Sequence, residues 1–424
     1  MISNKSKSLK KTTIKNVSSI LSLKRTKINS RNSRNSRNNE TNQNFLVDIL
    51  YNTSTPTEII NKLKDFYKTN IDNEKFLKYE KEFVSFDKSI QGKSGSIVGY
   101  LKNKPQSVLK VHYLKTNINK LIYYDGCVQL NNKFNEIFMN IILNNIKYLP
   151  NFTSKEVKEV KKHILEIEDY GFGNSSYYIL MPLVGMNYID KNNKNKKHFM
   201  TNLKDVMNLN HSPCLKKALK ENNTEILNLY DEFLAESLSS LFNVFKILQK
   251  NLKFVNGDAK LANIFIKSQK NTEPQFDKLR EYGFVIDYDL LLADLEKANI
   301  TINNNKFLTY PNFKNIPEIL IKLAGVKLIN EMRHSCNIKM NKLCPNLSIN
   351  DYDILCIIID FYTRFLKIDI NFINYFSKTN ELYKQFLSIS DINYNKLIKI
   401  LKKGDYNLNS KVTPQLSRIL TKIC

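Results

Sequence analysis

One stretch constrains this chain more than any other: Phe254-Val255-Asn256-Gly257-Asp258-Ala259-Lys260-Leu261-Ala262-Asn263-Ile264-Phe265-Ile266. An apolar run ends in a carboxylate, a lysine follows two residues on and an asparagine five residues on, and Ile264, Phe265 and Ile266 then resume a short strand-like run. A single loop is thereby made to carry an acceptor, a cation and an amide oxygen. Such a set suits phosphoryl transfer: Asp258 to orient and accept the proton of an attacking hydroxyl, Lys260 to neutralise a transferring phosphate, Asn263 to hold a magnesium ion. Standing alone, the same D-x-K-x-x-N pattern also describes a polar surface turn, so the reading depends on partners elsewhere in the chain.

Partners occur in a consistent order. Downstream, Val285-Ile286-Asp287-Tyr288-Asp289 sets a carboxylate at the end of an apolar run. Upstream, Ile90-Gln91-Gly92-Lys93-Ser94-Gly95-Ser96-Ile97-Val98 is a glycine-containing turn. Without a Cβ, Gly92 and Gly95 let the backbone approach phosphates closely. Ser107-Val108-Leu109-Lys110-Val111 places a lysine on the strand expected next. From Phe134 to Leu143 the apolar residues 134, 137, 138, 141 and 142 follow a helical spacing, and Glu136 is the only acid there, the candidate ion-pair partner of Lys110.

Taken together these five motifs resemble the protein-kinase superfamily over about residues 86–385. The Asn/Lys/Ile-rich composition, and Asp289 in place of the glycine of D-F-G, are similar to the divergent serine/threonine kinases of large DNA viruses such as poxviruses; an AT-rich genome gives the same composition. The resemblance implies an α+β, bilobal protein-kinase-like fold, with a small antiparallel-sheet lobe and a larger, mainly helical lobe. It implies ATP and Mg²⁺ as cofactors, with Asp258, Lys260, Lys110 and Glu136 catalytic and Asn263 and Asp287 on the metal. Ile90, Gly92, Gly95, Ile97, Val108, Lys110, Met181 and Leu183 would line the nucleotide, with backbone groups around Met181–Val184 meeting adenine. Ile90 replaces the first loop glycine, Val108 the usual alanine, and Asn256-Gly257 the usual His-Arg. Either Asp351 or, preferably, Asp353 would brace the catalytic loop, the alternative being a helix N-cap. The activation segment is poorly matched, with Ile316-Pro317-Glu318 and Tyr310-Pro311-Asn312 competing for its end.

Lys260 sets the expected acceptor. Aminoglycoside- and choline-like kinases share Gly-Asp in this loop and an Asp-x-Asp strand, as in Gly257-Asp258 and Asp287-Tyr288-Asp289, but usually lack the lysine that serine/threonine kinases place two residues after the aspartate. Protein hydroxyls are the expected substrates, with small-molecule phosphorylation and a catalytically dead, kinase-fold scaffold working through its basic tail as the alternatives. Gly257 removes the arginine that a phosphorylated activation segment neutralises, so activity is expected not to depend on phosphate at Thr301, Thr309 or Tyr310.

The rest of the chain bounds these expectations. With 424 residues, 42% of them hydrophobic, it can form two lobes with cores. No apolar run nears the roughly 18–20 residues that span a bilayer, and no secretory core stands at the start, so an intracellular site is expected, host cytoplasm or virion if the source is viral. Cysteines 127, 214, 336, 344, 356 and 424 are scattered, which favours reduced thiols over disulfides or zinc, and the five histidines are equally dispersed. The balance of 65 basic to 40 acidic residues, a formal +25, would attract acidic partners, acidic protein substrates among them, or merely solvate the surface. No base-reading motif is present, so sequence-specific nucleic-acid binding is not expected.

Four segments follow. Residues 1–44, acid-free before Glu40 and containing Arg31-Asn32-Ser33-Arg34-Asn35-Ser36-Arg37-Asn38, read as a disordered basic tail, either a tether or a transit peptide. Residues 45–85 read as a helical extension, with Thr55-Pro56-Thr57-Glu58 a capping box ahead of an apolar face of Ile59, Ile60, Leu63, Phe66 and Tyr67. Residues 86–185 would form the small lobe, its last strands at His163–Tyr170 and Tyr177–Gly185. Residues 186–424 would form the large lobe, with an insertion at about 187–225 and a buried helix from Leu229 to Leu252.

Overall fold

A computed structural model describes residues 56–69, 71–85, 96–113, 122–124, 127–129, 132–149, 151–173, 176–184, 186–189, 197–200, 202–207, 213–268, 273–284, 286, 288–302, 305–308, 349–366, 374–389 and 397–399. All lie within the unit Phe45–Cys424. The readings of residues 1–55, of the Gly92/Gly95 turn and of the end of the activation segment fall outside the described residues.

The fold is α+β. Helices α1 (Pro56–Thr69) and α2 (Asn73–Glu82) lead into β1 (Phe83–Ser85), β2 (Ser96–Leu101) and β3 (Lys104–Tyr113). Two short strands, β4 (Ile122–Tyr124) and β5 (Cys127–Gln129), precede helix α3 (Asn132–Asn144) and helix α4 (Ser154–Lys162). Strands β6 (Asp169–Gly173) and β7 (Ser176–Pro182) complete a five-stranded antiparallel sheet in the order β1-β2-β3-β7-β6. Next come the hairpin β8 (Met186–Ile189) and β9 (Lys197–Met200), then α5 (Leu203–Met207), α6 (Pro213–Lys220) and α7 (Thr224–Leu252). The hairpin β10 (Ile264–Ser268) and β11 (Tyr288–Leu292) flanks α8 (Asp277–Tyr282). Strands β12 (Ile300–Ile302) and β13 (Asn305–Leu308), and helices α9 (Ile349–Leu366) and α10 (Ser377–Ile389), follow.

Helix α1 starts at the proline its capping sequence predicts, because proline at the first helical position sacrifices only an N–H that has no helical partner. It buries Ile59, Leu63, Phe66 and Tyr67, one stripe at 3.6-residue spacing. Tyr67 meets Phe172 edge-on at 4.9 Å and Phe66 stacks on Tyr170 at 6.1 Å, so the extension covers the edge strand β6. Helix α2 is pinned to the same strand by Lys75 and Tyr79, which reach Asp169 at 2.8 and 2.7 Å.

Strand β6 begins at Asp169, six residues later than the His163 the sequence suggests. The start of the run 163–168 lies beside β11 instead: Leu292 donates to the His163 carbonyl and Ile164 bridges to Leu292, and only at Glu168, whose amide donates to the Leu180 carbonyl, does the chain reach β7. Alternation marks an extended chain with one buried side; it does not say which sheet receives it.

Helix α7 buries Phe233, Leu234, Leu238, Leu241, Phe242, Phe245 and Leu248 as expected, but begins five residues before Leu229, where Asn223 caps it by accepting from Ile226 N at 3.2 Å. Packed around it are α9 and α10. The buried Asp231 of α7 caps α10, accepting from the Lys378 and Thr379 amides at 2.6 and 3.0 Å. At its far end Lys253 turns left-handed, φ 49°, and aims the chain into the loop that begins at Phe254. Among the described residues no helix is long and apolar enough to cross a membrane.

Candidate active site

Strand β3 exposes two faces. Leu109 and Val111 pack with Leu101, Tyr178 and Leu180, while Lys110 and His112 meet Glu136 on α3 from the other side. Lys110 Nζ donates to Glu136 Oε1 at 2.6 Å, the pairing expected from the sequence. Two further groups hold the other oxygen: the Tyr177 hydroxyl donates to Oε2 at 3.1 Å and His112 Nε2 lies 3.5 Å from it, with the two rings stacked at 4.5 Å. Burial opposes ionisation of Glu136, yet Lys110 and His112 beside it hold the carboxyl well below its usual range. Burial likewise disfavours the Lys110 ammonium, and Glu136 with Asp294 overcomes that and raises its pKa.

The carboxylate that faces Lys110 from the far side is Asp294, 3.7 Å from Nζ. Asp287, expected on the metal, lies outside the described residues. Its neighbour Tyr288 pairs with Ser268 at the distal end of the hairpin, whereas Leu292 pairs with Ile264 and Ala293 donates to the Asn263 carbonyl at 3.1 Å. The hairpin register therefore delivers Asp294, next along the chain, to Asn263 and Lys110. Asp289 pairs with Lys267 and lines a separate cavity with His163 and Glu236. In the sequence, Leu290-Leu291-Leu292-Ala293-Asp294 is a second apolar run ending in an acid, and it was not singled out.

Asp294 adopts φ 57°, ψ 62°, a left-handed conformation that a residue with a Cβ pays to occupy and that clusters at functional sites. Burial pushes its carboxyl up, and Glu136, Glu296 and Asp258 add to this against the pull of Lys110. Glu136, Asp294 and Glu296 offer oxygens within 4.8 Å of one another. Hard carboxylate oxygens brought together in this way fit a divalent cation such as Mg²⁺.

The loop from Phe254 to Asn263 is held at several points. Val255 and Asn299 exchange backbone hydrogen bonds at 2.9 and 2.7 Å. Asp353, completely buried on α9, accepts from the amides of Asn256 (2.7 Å) and Gly257 (3.1 Å), so of the two candidates it is Asp353 that braces the loop. One further turn-pair along the same helix, Asp360 accepts from Leu261 N at 2.9 Å, a brace that sequence reasoning missed although the seven-residue spacing puts both acids on one face. Asn256, at the position where the kinase resemblance expects histidine, closes the turn by accepting from Asp258 N at 3.1 Å. Gly257 has φ 73°, and a Cβ there would lie 2.7 Å from the Lys297 carbonyl, so only glycine lets the two segments come this close.

Within this frame Asp258 Oδ2 receives two ammonium groups, Lys260 at 3.0 Å and Lys297 at 2.8 Å. Lys297 was not singled out, because it lies 39 residues from Asp258 and no spacing rule connects them. Asn263 Nδ2 donates to the Asp258 carbonyl at 2.9 Å, which fixes the side chain through its nitrogen and spares its oxygen for a ligand.

The expected nucleotide residues divide. Ile90, Gly92 and Gly95 lie outside the described residues. Val108 and Met181 pair across β3 and β7 in register with Lys110 and Ile179, and so share the Lys110 face. Ile97 does not: it pairs with Val111 and lines a cavity against α2 with Phe76, Tyr79 and Leu109, while Val98, opposite Lys110, takes the face proposed for it. A one-residue difference in register moves a side chain through the sheet. Leu183, the last of the expected nucleotide residues, donates its amide to the Gln106 carbonyl at 2.6 Å.

The chain matches no protein-family model, and no curated protein matches it.

Proposed function

We propose that this chain is an ATP-dependent serine/threonine protein kinase of bilobal, protein-kinase-like architecture. The observation that carries the reading is the position of Lys110 Nζ between Glu136 Oε1 (2.6 Å) and Asp294 Oδ1 (3.7 Å), an ammonium poised between a strand, a helix and the loop after β11. Structural ion pairs need only two partners; a lysine held by one carboxylate and faced by another, beside the Asp258–Asn263 loop, suits the grip on nucleotide phosphates.

Each residue then has a task. Glu136, locked by Tyr177 and His112, keeps Lys110 extended toward the phosphates. Asp258 orients the acceptor hydroxyl and takes its proton as the oxygen attacks the γ-phosphorus, and the bond from that phosphorus to the β-γ bridging oxygen breaks. Lys260 and Lys297, already on Asp258 Oδ2, neutralise the charge that gathers on the transferring group. Mg²⁺ held by Asp294 and Asn263 would supply charge neutralisation and orientation of the phosphate oxygens.

Lys260 favours protein acceptors over small molecules, and the Asp-x-Asp strand that would have favoured aminoglycoside- or choline-like substrates offers no support, since Asp289 points the reading to the other end of the hairpin. The test is radiolabel transfer from ATP to a mixed protein extract and, in parallel, to amino alcohols and aminoglycosides. Label on serine and threonine is expected, with Asp258→Asn lowering the rate about 10²–10⁴-fold. Label confined to small molecules or to tyrosine, or equal labelling by Asp258→Asn, would overturn the assignment.

A further inference from the structure

We propose that Asn135 is a positioning residue that fastens the Asp294 loop to the helix carrying Glu136, so that the site stands assembled without phosphate on the segment that follows. The inference rests on the kinase reading above and concerns the regulation of the same site.

Asn135 precedes Glu136 on α3 and is completely buried. Its Nδ2 lies 3.3, 3.0 and 2.8 Å from the carbonyl oxygens of Leu295, Glu296 and Ala298. These three carbonyls belong to the tight turn immediately after Asp294. The Leu295 carbonyl also accepts from Ala298 N at 3.1 Å, so the two hydrogens of this amide serve chiefly the nearer Glu296 and Ala298 carbonyls, and a buried acceptor left without a donor is costly. The same amide also explains how Asp294 is kept left-handed: such a conformation persists only where surrounding bonds over-determine it. Asn135 and Glu136 are consecutive, so the bond to the turn and the bond to Lys110 share one helical turn, and moving α3 away would break both.

A second, backbone connection runs in parallel. Beyond the turn, Asn299 bridges to Val255, and β12 and β13 form a hairpin whose β13 pairs in parallel with β5, Lys306 opposite Cys127 and Leu308 opposite Gln129. Strand β5 ends three residues before α3 begins. The segment after Asp294 is therefore held at the turn by α3, next by the catalytic loop, and then by the strand that feeds α3. Each is a device that phosphorylation of a loop elsewhere would otherwise have to provide.

The test uses the full chain. In the nucleotide-free protein, amide hydrogen exchange at Ala298 and Asn299 is expected to be slow, and Asn135→Ala to accelerate it about tenfold or more, with β3 and β7 unchanged. Asn135→Ser, which keeps one donor, is read in the same way if the alanine variant does not fold. In activity, Asn135→Ala is expected to lower kcat on the order of tenfold with little change in KM for the protein substrate. On an Asp294→Asn background the same change should cost almost nothing, because its effect passes through Asp294. Wild-type protein treated with phosphatase should keep its rate. Fast exchange at Ala298 and Asn299 in the wild type, unchanged exchange in both variants, or loss of activity on phosphatase treatment would overturn the proposal. Absence of transfer by the wild type to any acceptor would instead remove the kinase reading, and the exchange data would still decide the role of Asn135.

Discussion

Nζ of Lys297 lies 2.8 Å from Oδ2 of Asp258, sharing that oxygen with Lys260 at 3.0 Å. Lys297 is the more enclosed of the two ammonium groups, its side chain 13% exposed against 41%. Asp258 is thus gripped by one lysine of its own loop and another from the turn after Asp294.

Replacing Lys297 with methionine should lower kcat by about 10²-fold, the loss expected when one pre-placed charge-stabilising group is removed. Lys260→Met should cost a similar factor. Steady-state kinetics on an acceptor peptide with a free serine or threonine hydroxyl distinguishes this from a surface role, in which Lys297→Met would leave kcat unchanged.

Asp294→Asn should abolish the Mg²⁺-dependent part of the thermal shift that ATP produces, while Asp287→Asn should leave it intact. The hairpin register is the ground for this contrast, since only Asp294 follows the residue that donates to the Asn263 carbonyl. A thermal-shift titration with ATP, with and without Mg²⁺, is sufficient.

Placing at Gly257 the arginine that the kinase resemblance expects should damage the protein. A side chain there enters a left-handed conformation, costing roughly 1–2 kcal/mol, and its Cβ would press on the Lys297 carbonyl at 2.7 Å. Gly257→Arg and Gly257→Ala should both lower the denaturant midpoint, and unaltered stability of either would contradict the geometry.

Burial pushes the Asp353 carboxyl up to about 7, against the two amides that favour its ionised form. Its unfolded value is about 3.9, so between these limits the folded chain binds a proton that the unfolded chain releases. Stability from this group therefore falls as pH rises from about 4 to 7, by at most about 1.4 kcal/mol per pH unit. In the folded chain the charged form that accepts from Asn256 and Gly257 through both oxygens accumulates only as pH passes through about 7, at the upper end of that range. Activity should consequently rise through pH 7 while thermal stability declines, and Asp353→Asn should flatten that component of both profiles.

The sequence by itself determined the parts that local order specifies. A carboxylate, lysine and asparagine spaced along one loop, a lysine at an alternating strand position, and a lone acid on a helical stripe identified Asp258, Lys260, Asn263, Lys110 and Glu136, because strands and helices present residues at known periods. Asp353 was recognisable as an acid just ahead of the apolar run Ile354–Ile359 of its helix. Only the tertiary structure decided which carboxylate faces Lys110, which neighbour of Val111 turns toward the site, and that Lys297 and Asn135 belong to it. Those outcomes depend on hairpin register and on contacts across the chain: Asp294 arrives through Leu292 pairing with Ile264, Val98 through its place opposite Lys110, Asn135 through carbonyls 160 or more residues away. Register and long-range approach are selected by the packing of the whole core, which no window of neighbouring residues contains.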